Sequence, residues 1–188
     1  MVHPEPALAQ ETLRDIAHEA ERLSVLVESL LALARAERQA EPAQPVDLAA
    51  AVRSLEGVEL DVPEGPVLLL AAPAEVSTVL GNVIGNAQRY AGELIRVAVR
   101  IDEPGVDTPG RVRLVVDDDG PGVPPEHREL IFDRFHRVEP DRARSTGGVG
   151  LGLALVAEAV RRRGGVVRAD RSPEGGTRVE VSWPRAPG

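Results

Sequence analysis

The sequence predicts an α/β fold: a two-layer sandwich in which a mixed sheet carries helices on one face, plus an N-terminal helical arm. Three observations predict it. At 188 residues, 43% of them hydrophobic, the chain can bury one full core with a short appended element to spare. From Leu48 onward, strand-like and helix-like stretches alternate in uneven order and end in a hairpin across "SPEGG". Before that, apolar residues at 13, 16, 20, 23, 27, 30 and 34 step by three and four, the a/d seam of a helix that packs on other helices.

The arm occupies residues 1–40 and ends at the polar break "AERQAEPAQPVD", where Pro42 and Pro45 stop a helix. Residues 41–188 form the second domain. It is expected to hold a short helix near 48–55, strands near 58–62 and 67–71, and a helix over 74–90. Strands at 94–101 and 111–116 follow, then a helix over 150–163 and closing strands at 165–171 and 177–183. The helix over 74–90 rests on Val79, Leu80, Val83 and Ile84, which cover one side of it. The strand "RVRLVV" rests on its alternation and β-branching, and the helix after 150 on strong amphipathicity.

Composition excludes several classes. A net charge of -8 and a pI near 5.1 leave no clustered basic surface for a nucleic-acid backbone, so no nucleic-acid partner is expected. All 22 basic residues are Arg, which rules out a P-loop or a Schiff-base lysine. Without Cys there is neither disulfide nor thiolate metal site. No apolar run approaches the ~20 residues of a membrane span, and the N-terminus lacks a signal peptide's apolar core, so a cytoplasmic location is expected.

Three stretches carry candidate chemistry. In "RVRLVVDDDGPG" a strand delivers Asp117, Asp118 and Asp119 to a turn that Gly120 and Gly122 allow to be tight. A carboxylate there can accept a hydrogen bond from an exocyclic amine, although an acidic loop or an aspartate metal site reads equally well from these residues. In "GGVGLGLALVAEAVRRRGG", Gly148, Gly150 and Gly152 leave backbone N–H groups open at a helix N-terminus, a phosphate cradle. A flexible loop is the alternative, while a Rossmann turn should follow a first strand directly, not an Arg-rich loop. In "LGNVIGNAQRY", Asn82, Asn86 and Arg89 recur at steps of four and three and share one helix face. Two amides and a cation suit the Mg²⁺ and phosphates of a nucleotide, or a solvated polar face.

Together these stretches resemble the catalytic domain of bacterial sensor histidine kinases, within the superfamily that includes gyrase, Hsp90 and MutL. "LGNVIGNAQRY" resembles the N box, "DDDGPGVP" the G1 box, "IFDRFHR" the F box, "GGVGLGLAL" the G2 box, and "GGT" the last glycine box. The resemblance covers essentially the whole chain and implies a Bergerat-type fold that binds ATP and Mg²⁺. It implies that Asn86 holds Mg²⁺ against the triphosphate, with Asn82 and Arg89 beside the phosphates and Tyr90 near the nucleotide. Asp119 would read the adenine amine, and Gly120 and Gly122 would shape the base pocket. Gly148, Val149, Gly150, Leu151 and Gly152 would cradle phosphate, and Thr177 would close the site. Residues 133–149 would form a lid, with Phe132 and Phe135 anchoring its base and Arg137 and Arg142 reaching the phosphates.

The arm's "EAERLSVLVESLLALARAE" resembles the second helix of the dimerisation and phosphoacceptor hairpin. The hairpin's first helix and its phosphoacceptor box are not found in the chain. His3, His18, His127 and His136 all lack the box's context, with His18 before Glu19 coming nearest, so no catalytic residue is identified. The resemblance implies a kinase module that phosphorylates a histidine of a helical bundle in cis or in trans, with a response regulator downstream. Self-association through 13–34 is expected to be weak. The alternative is an ATP-driven conformational switch or an anti-sigma-type serine kinase on the same fold. Against steady hydrolysis, Asn82 stands where hydrolytic members carry a water-activating Glu.

Overall fold

A computed structural model describes residues 41–105, 110–138 and 150–186, together with Ala20 and Val27, both helical and exposed. The rest of the expected arm lies outside the described residues. The element order is β1 (Gln44–Asp47), α1 (Leu48–Arg53), β2 (Glu59–Asp61), β3 (Leu68–Ala71), α2 (Pro73–Tyr90), β4 (Ile95–Asp102), β5 (Arg111–Asp118), α3 (Gly152–Arg162), β6 (Val166–Arg171) and β7 (Thr177–Pro184). Two short 3₁₀ turns, Pro125–His127 and Leu130–Phe132, lie between β5 and α3.

Five strands form a mixed sheet in the order β2-β4-β5-β7-β6, with β2 parallel to β4 and the remaining pairs antiparallel. Alternation along β4, β5 and β7 gives the sheet two unlike faces. One row holds Ile95, Val97 and Val99, opposite Val116, Leu114 and, farther along, Val179, Val181 and Trp183, all buried. Helices α2 and α3 cover this face through Val76, Val79, Leu80, Val83, Ile84, Val156 and Val160. On the other face Arg96 pairs with Glu59 and Glu174, Arg100 with Asp61, Arg113 with Asp102 and Glu180, and Arg178 with Asp117. A face made of paired charges has no apolar surface to offer a second helix layer, which is why the sandwich has two layers.

The helices start and stop for local reasons. Asp47 caps α1 by accepting from Ala50 N at 3.3 Å, and the same Oδ1 accepts from Val67 N at 2.9 Å, tying the start of α1 to the residue before β3. In α2, Pro73 takes the first turn and Glu75 accepts from Ala72 N at 3.0 Å. Glu75 also accepts from Arg163 Nε at 2.6 Å, so the end of α3 lies beside the start of α2 and the two helices run antiparallel. The guanidinium suits the negative end of α3 and the carboxylate the positive end of α2.

From Leu48 onward the expected elements are found with ends shifted by at most two residues. Strand β5 runs two residues past the expected 116 and takes Asp117 and Asp118 into the sheet. β1 was not expected; it forms a separate ladder with β3, Val46 opposite Leu69. The residues after the acidic turn make two short 3₁₀ turns, the first opened by Pro125.

Leu114 is fully buried in the central strand, whereas Arg100 and Asp61 are 44% and 60% exposed. Leu114→Ala should therefore cost about 2–5 kcal/mol, and Arg100→Met less than about 1 kcal/mol. Urea denaturation of the two variants measures both. Equal losses would show that the helix-covered face is not the core.

Candidate nucleotide site

The site is built around the end of β5. Asp118 continues the row of Val112, Leu114 and Val116, stands opposite Ile95, and therefore faces the helix layer. It is 3% exposed. Its Oδ1 accepts from Gly120 N and from Thr177 N, each at 2.9 Å, and its carbonyl accepts from Gly176 N at 3.2 Å. Oδ2 accepts no hydrogen bond among the described residues. Only glycine fits around this carboxylate: a Cβ on Gly176 would lie 2.2 Å from Asp118 Oδ1, and one on Gly120 would lie 2.4 Å from the Tyr90 carbonyl oxygen. Thus the turn after β5, the end of α2 and the start of β7 meet at one point. Gly122, at φ +76°, continues the turn against Gly176.

From Tyr90 the polar face of α2 runs back toward the start of α3. Asn82 Nδ2 donates to Thr78 O at 2.8 Å, which turns Oδ1 toward Gly152, where a Cβ would lie only 2.6 Å away. Gly152 opens α3, Leu151 precedes it without a side-chain cap, and the first amide paired within the helix is that of Leu155. The first-turn N–H groups of α3 thus remain available as donors beside Asn82. One turn along α2, Asn86 is half-buried and its amide has no hydrogen-bond partner among the described residues. Arg89 is exposed and likewise unpaired among them. The eight steps from Asn82 to Tyr90 span about 12 Å of helix axis. The result is a long site with a buried carboxylate at one end and open helix amides at the other.

Phe135 and His136 meet Gly150 just before α3. Phe135 N donates to Gly150 O at 2.9 Å, Phe135 adopts φ +66°, and Gly150 adopts φ +73°. A Cβ on Gly150 would meet the His136 carbonyl at 2.9 Å, so glycine is needed for this closure. Phe132 is buried at 6% exposure, whereas Phe135 is 55% exposed. Of the two aromatics only Phe132 joins the core; Phe135 meets Gly150 through its backbone. His127 Nδ1 and His136 Nε2 face each other at 3.0 Å with ring centroids 5.1 Å apart.

Asp119 is bonded to the loop after α2. Its Oδ1 accepts from Gly92 N at 2.8 Å, and Oδ2 accepts from Glu93 N at 3.0 Å. Led by the Glu93 amide, these donors hold the Asp119 carboxyl below its ordinary range, against opposing desolvation. Asp118, one residue earlier, is the aspartate whose carboxylate is turned toward the helix layer. Period-two alternation carries that signal, since Asp118 shares the parity of Val112, Leu114 and Val116. Among the other expected residues, Asn82, Asn86, Gly120, Gly122, Gly152 and Thr177 lie along the site, and Leu151 is buried behind it. Tyr90 contributes its carbonyl, while the residue is 42% exposed. Arg137 is half-buried. Arg142, Gly148 and Val149 lie outside the described residues. Sequence reasoning missed Gly176, which the "GGT" motif contained.

One mixed sheet with helices on a single face, and a glycine-lined carboxylate at the strand end opposite an uncapped helix, define an ATPase-type two-layer domain. Residues 71–187 match the family described as histidine kinase-, DNA gyrase B-, and HSP90-like ATPase, and the chain belongs to that family. Sensor histidine kinase CpxA of Escherichia coli (strain K12) is 36% identical over 185 residues, covering 92% of this chain and 39% of CpxA. Signal transduction histidine-protein kinase/phosphatase MprB of Mycolicibacterium smegmatis is 36% identical over 170 residues, covering 86% of this chain and 34% of MprB. Among solved structures, the mycobacterial sensor histidine kinase MprB aligns with a TM-score of 0.59 at 30% identity, over 78% of this chain and 99% of that one. Full-length ShkA in complex with AMPPNP aligns with a TM-score of 0.67 at 27% identity, over 100% of this chain and 40% of that one. The chain spans well under half the length of the curated relatives it matches.

Gly120→Ala must displace the Tyr90 carbonyl and should cost about 1–3 kcal/mol. Gly81→Ala, in an exposed helix position with nothing within 4 Å of a new Cβ, should instead stabilise by roughly 0.5–1 kcal/mol. Thermal melts of the two variants should shift in opposite directions. A neutral Gly120→Ala would show that the turn does not depend on the close approach.

Proposed function

We propose that this chain is the catalytic module of a sensor histidine kinase: it binds Mg-ATP and donates the γ-phosphate to a histidine of a dimerisation and phosphoacceptor helical bundle. The observation that carries this reading is the polarity of the site. A carboxylate with a free oxygen suits the exocyclic amine of adenine, and about 12 Å along α2 the open amides of α3 suit phosphate oxygens. In this reading Asp118 reads the base, Gly120, Gly122 and Gly176 make room for it, and Thr177 N holds Asp118 in place. Arg89 and the first turn of α3 neutralise phosphate charge.

The donor set fits Mg²⁺. Among the described residues no cluster of three or more acidic or histidine side chains could hold a metal. A single unpaired amide at Asn86 suits a hard cation that takes its other ligands from phosphate and water. Asn86 would hold it, and the ion would supply charge neutralisation at the transferring phosphoryl group.

Transfer forms a bond between the γ-phosphorus and an imidazole nitrogen and releases ADP, a reaction that asks the protein mainly for positioning. The acceptor lies outside this chain in our reading. The facing ring nitrogens of His127 and His136 are engaged with each other, and neither His3 nor His18 has an acceptor's sequence context. Residues 1–40 would then pack with a bundle in cis or in trans, self-association through 13–34 alone would be weak, and a response regulator would take the phosphate onward. Hydrolysis without transfer should be slow, because Asn82, a poor base, stands where a water-activating carboxylate would be needed.

Two measurements test this. Titration of a labelled ATP analogue should show Asp118→Asn weakening binding by about 1–3 kcal/mol, and Asn86→Ala removing the Mg²⁺-dependent part. Equal affinity for GTP would overturn the adenine assignment. Incubated with radiolabelled Mg-ATP, the chain alone should gain little acid-labile phosphate and should label a cognate bundle supplied in trans. Strong self-labelling at His18 would place the acceptor within the chain instead.

A further inference from the structure

We propose that Asp119 is a positioning residue that fixes the C-terminal end of α2 against the end of β5 and so sets where Asn86 and Arg89 stand relative to Asp118. The inference rests on the nucleotide-binding reading above and adds to it a residue that does not touch the ligand.

The need for such a residue follows from how α2 is held. Its buried stripe ends at Ala87, a single methyl group, and the next three residues, Gln88, Arg89 and Tyr90, are exposed. The last turn of the helix, which carries Arg89 and follows Asn86, therefore has no large apolar side chain in the core. A cap contact holds it within the helix, Ala91 N to Ala87 O at 2.7 Å, but that bond does not reach the sheet. The bonds from Asp119 to Gly92 N and Glu93 N do reach it, gripping the chain two residues beyond the helix end. Gly92 permits the approach, since a Cβ there would lie 3.3 Å from Asp119 Oδ2.

The geometry leaves little slack. Asp118 and Asp119 are adjacent, and one orients the turn and β7 while the other holds the loop after α2. The Tyr90 carbonyl is seated against Gly120 between them, closer than any side chain would allow. Release of the 92–93 amides would let the last turn of α2 move away from Gly120, carrying Asn86 and Arg89 with it while leaving Asp118 in its own bonds. The metal and phosphate end of the site should suffer more than the base end.

The test compares nucleotide affinity with and without Mg²⁺ for the whole chain, its Asp119→Ala and Asp119→Asn variants, and Val99→Ala as a destabilised core control. Asp119→Ala should reduce the Mg²⁺-dependent gain in ADP affinity by about tenfold, with a smaller change in Mg²⁺-free ADP binding. Asp119→Asn, which keeps one acceptor oxygen, should recover part of that gain, and Val99→Ala should keep all of it. A wild-type Mg²⁺ gain in Asp119→Ala would overturn the inference. Amide hydrogen exchange of the unmodified chain gives an independent reading that needs no variant: Gly92 and Glu93 should be protected, and exchange as fast as an open loop would overturn it as well. Failure of the wild-type chain to bind any adenine nucleotide would instead overturn the proposed function, and so is distinct from both results.

Discussion

The hydrogen bonds to Asp118 are the constraint on which the site depends. A carboxylate buried at the end of a central strand is costly unless amide donors reach it, and here they come from two places far apart in sequence, Gly120 and Thr177. The same bonds bring β7 in beside β5 and close the hairpin after β6. Side chains on Gly120 or Gly176 would fill the space the donors cross, so the glycines and the carboxylate form one unit.

The rest of the molecule presents that unit to the helices. The sheet has an apolar face and a charged one, so α2 and α3 can pack on one side only, and their antiparallel arrangement brings Asn82 to the first turn of α3. The Arg163 and Glu75 pair at the opposite end holds the helices in that arrangement. A helix start with free amides, a helix face of amides and a strand end with a carboxylate come together because two helices and one strand pack in a single register.

Much of this was legible in the sequence, for identifiable reasons. Helix α2 and strands β4, β5 and β7 have strong periodicity, and the residues that pack under the helices follow it. β1 was missed because "QPVD" is four residues long and its pairing with β3 is decided by tertiary contact. The two 3₁₀ turns after Gly122 are three residues each, too short for a periodicity to announce them. The site was legible as a set of motifs but not to the residue. Three consecutive aspartates look alike in composition; strand parity separates Asp117, bonded to Arg178, from Asp118, and the end of β5 separates both from Asp119. The exposure of Phe135 depends on a left-handed backbone that a phenylalanine seldom adopts and that no sequence pattern announces.

The charged face of the sheet has a property that follows from the absence of lysine. Every side-chain cation in its ladder is a guanidinium, which stays protonated at any pH a folded protein meets and matches a carboxylate with two parallel donors. Arg178 meets Asp117 in this forked way, with both distances at 2.8 Å. The positive half of the ladder is therefore permanent: acylating reagents that consume primary amines find no side chain on it, and alkaline conditions that would discharge ammonium groups leave it intact. Among the ladder's carboxylates Asp61 shows the effect of such a partner, since the hydrogen bond and then the charge of Arg100 hold it below its ordinary range.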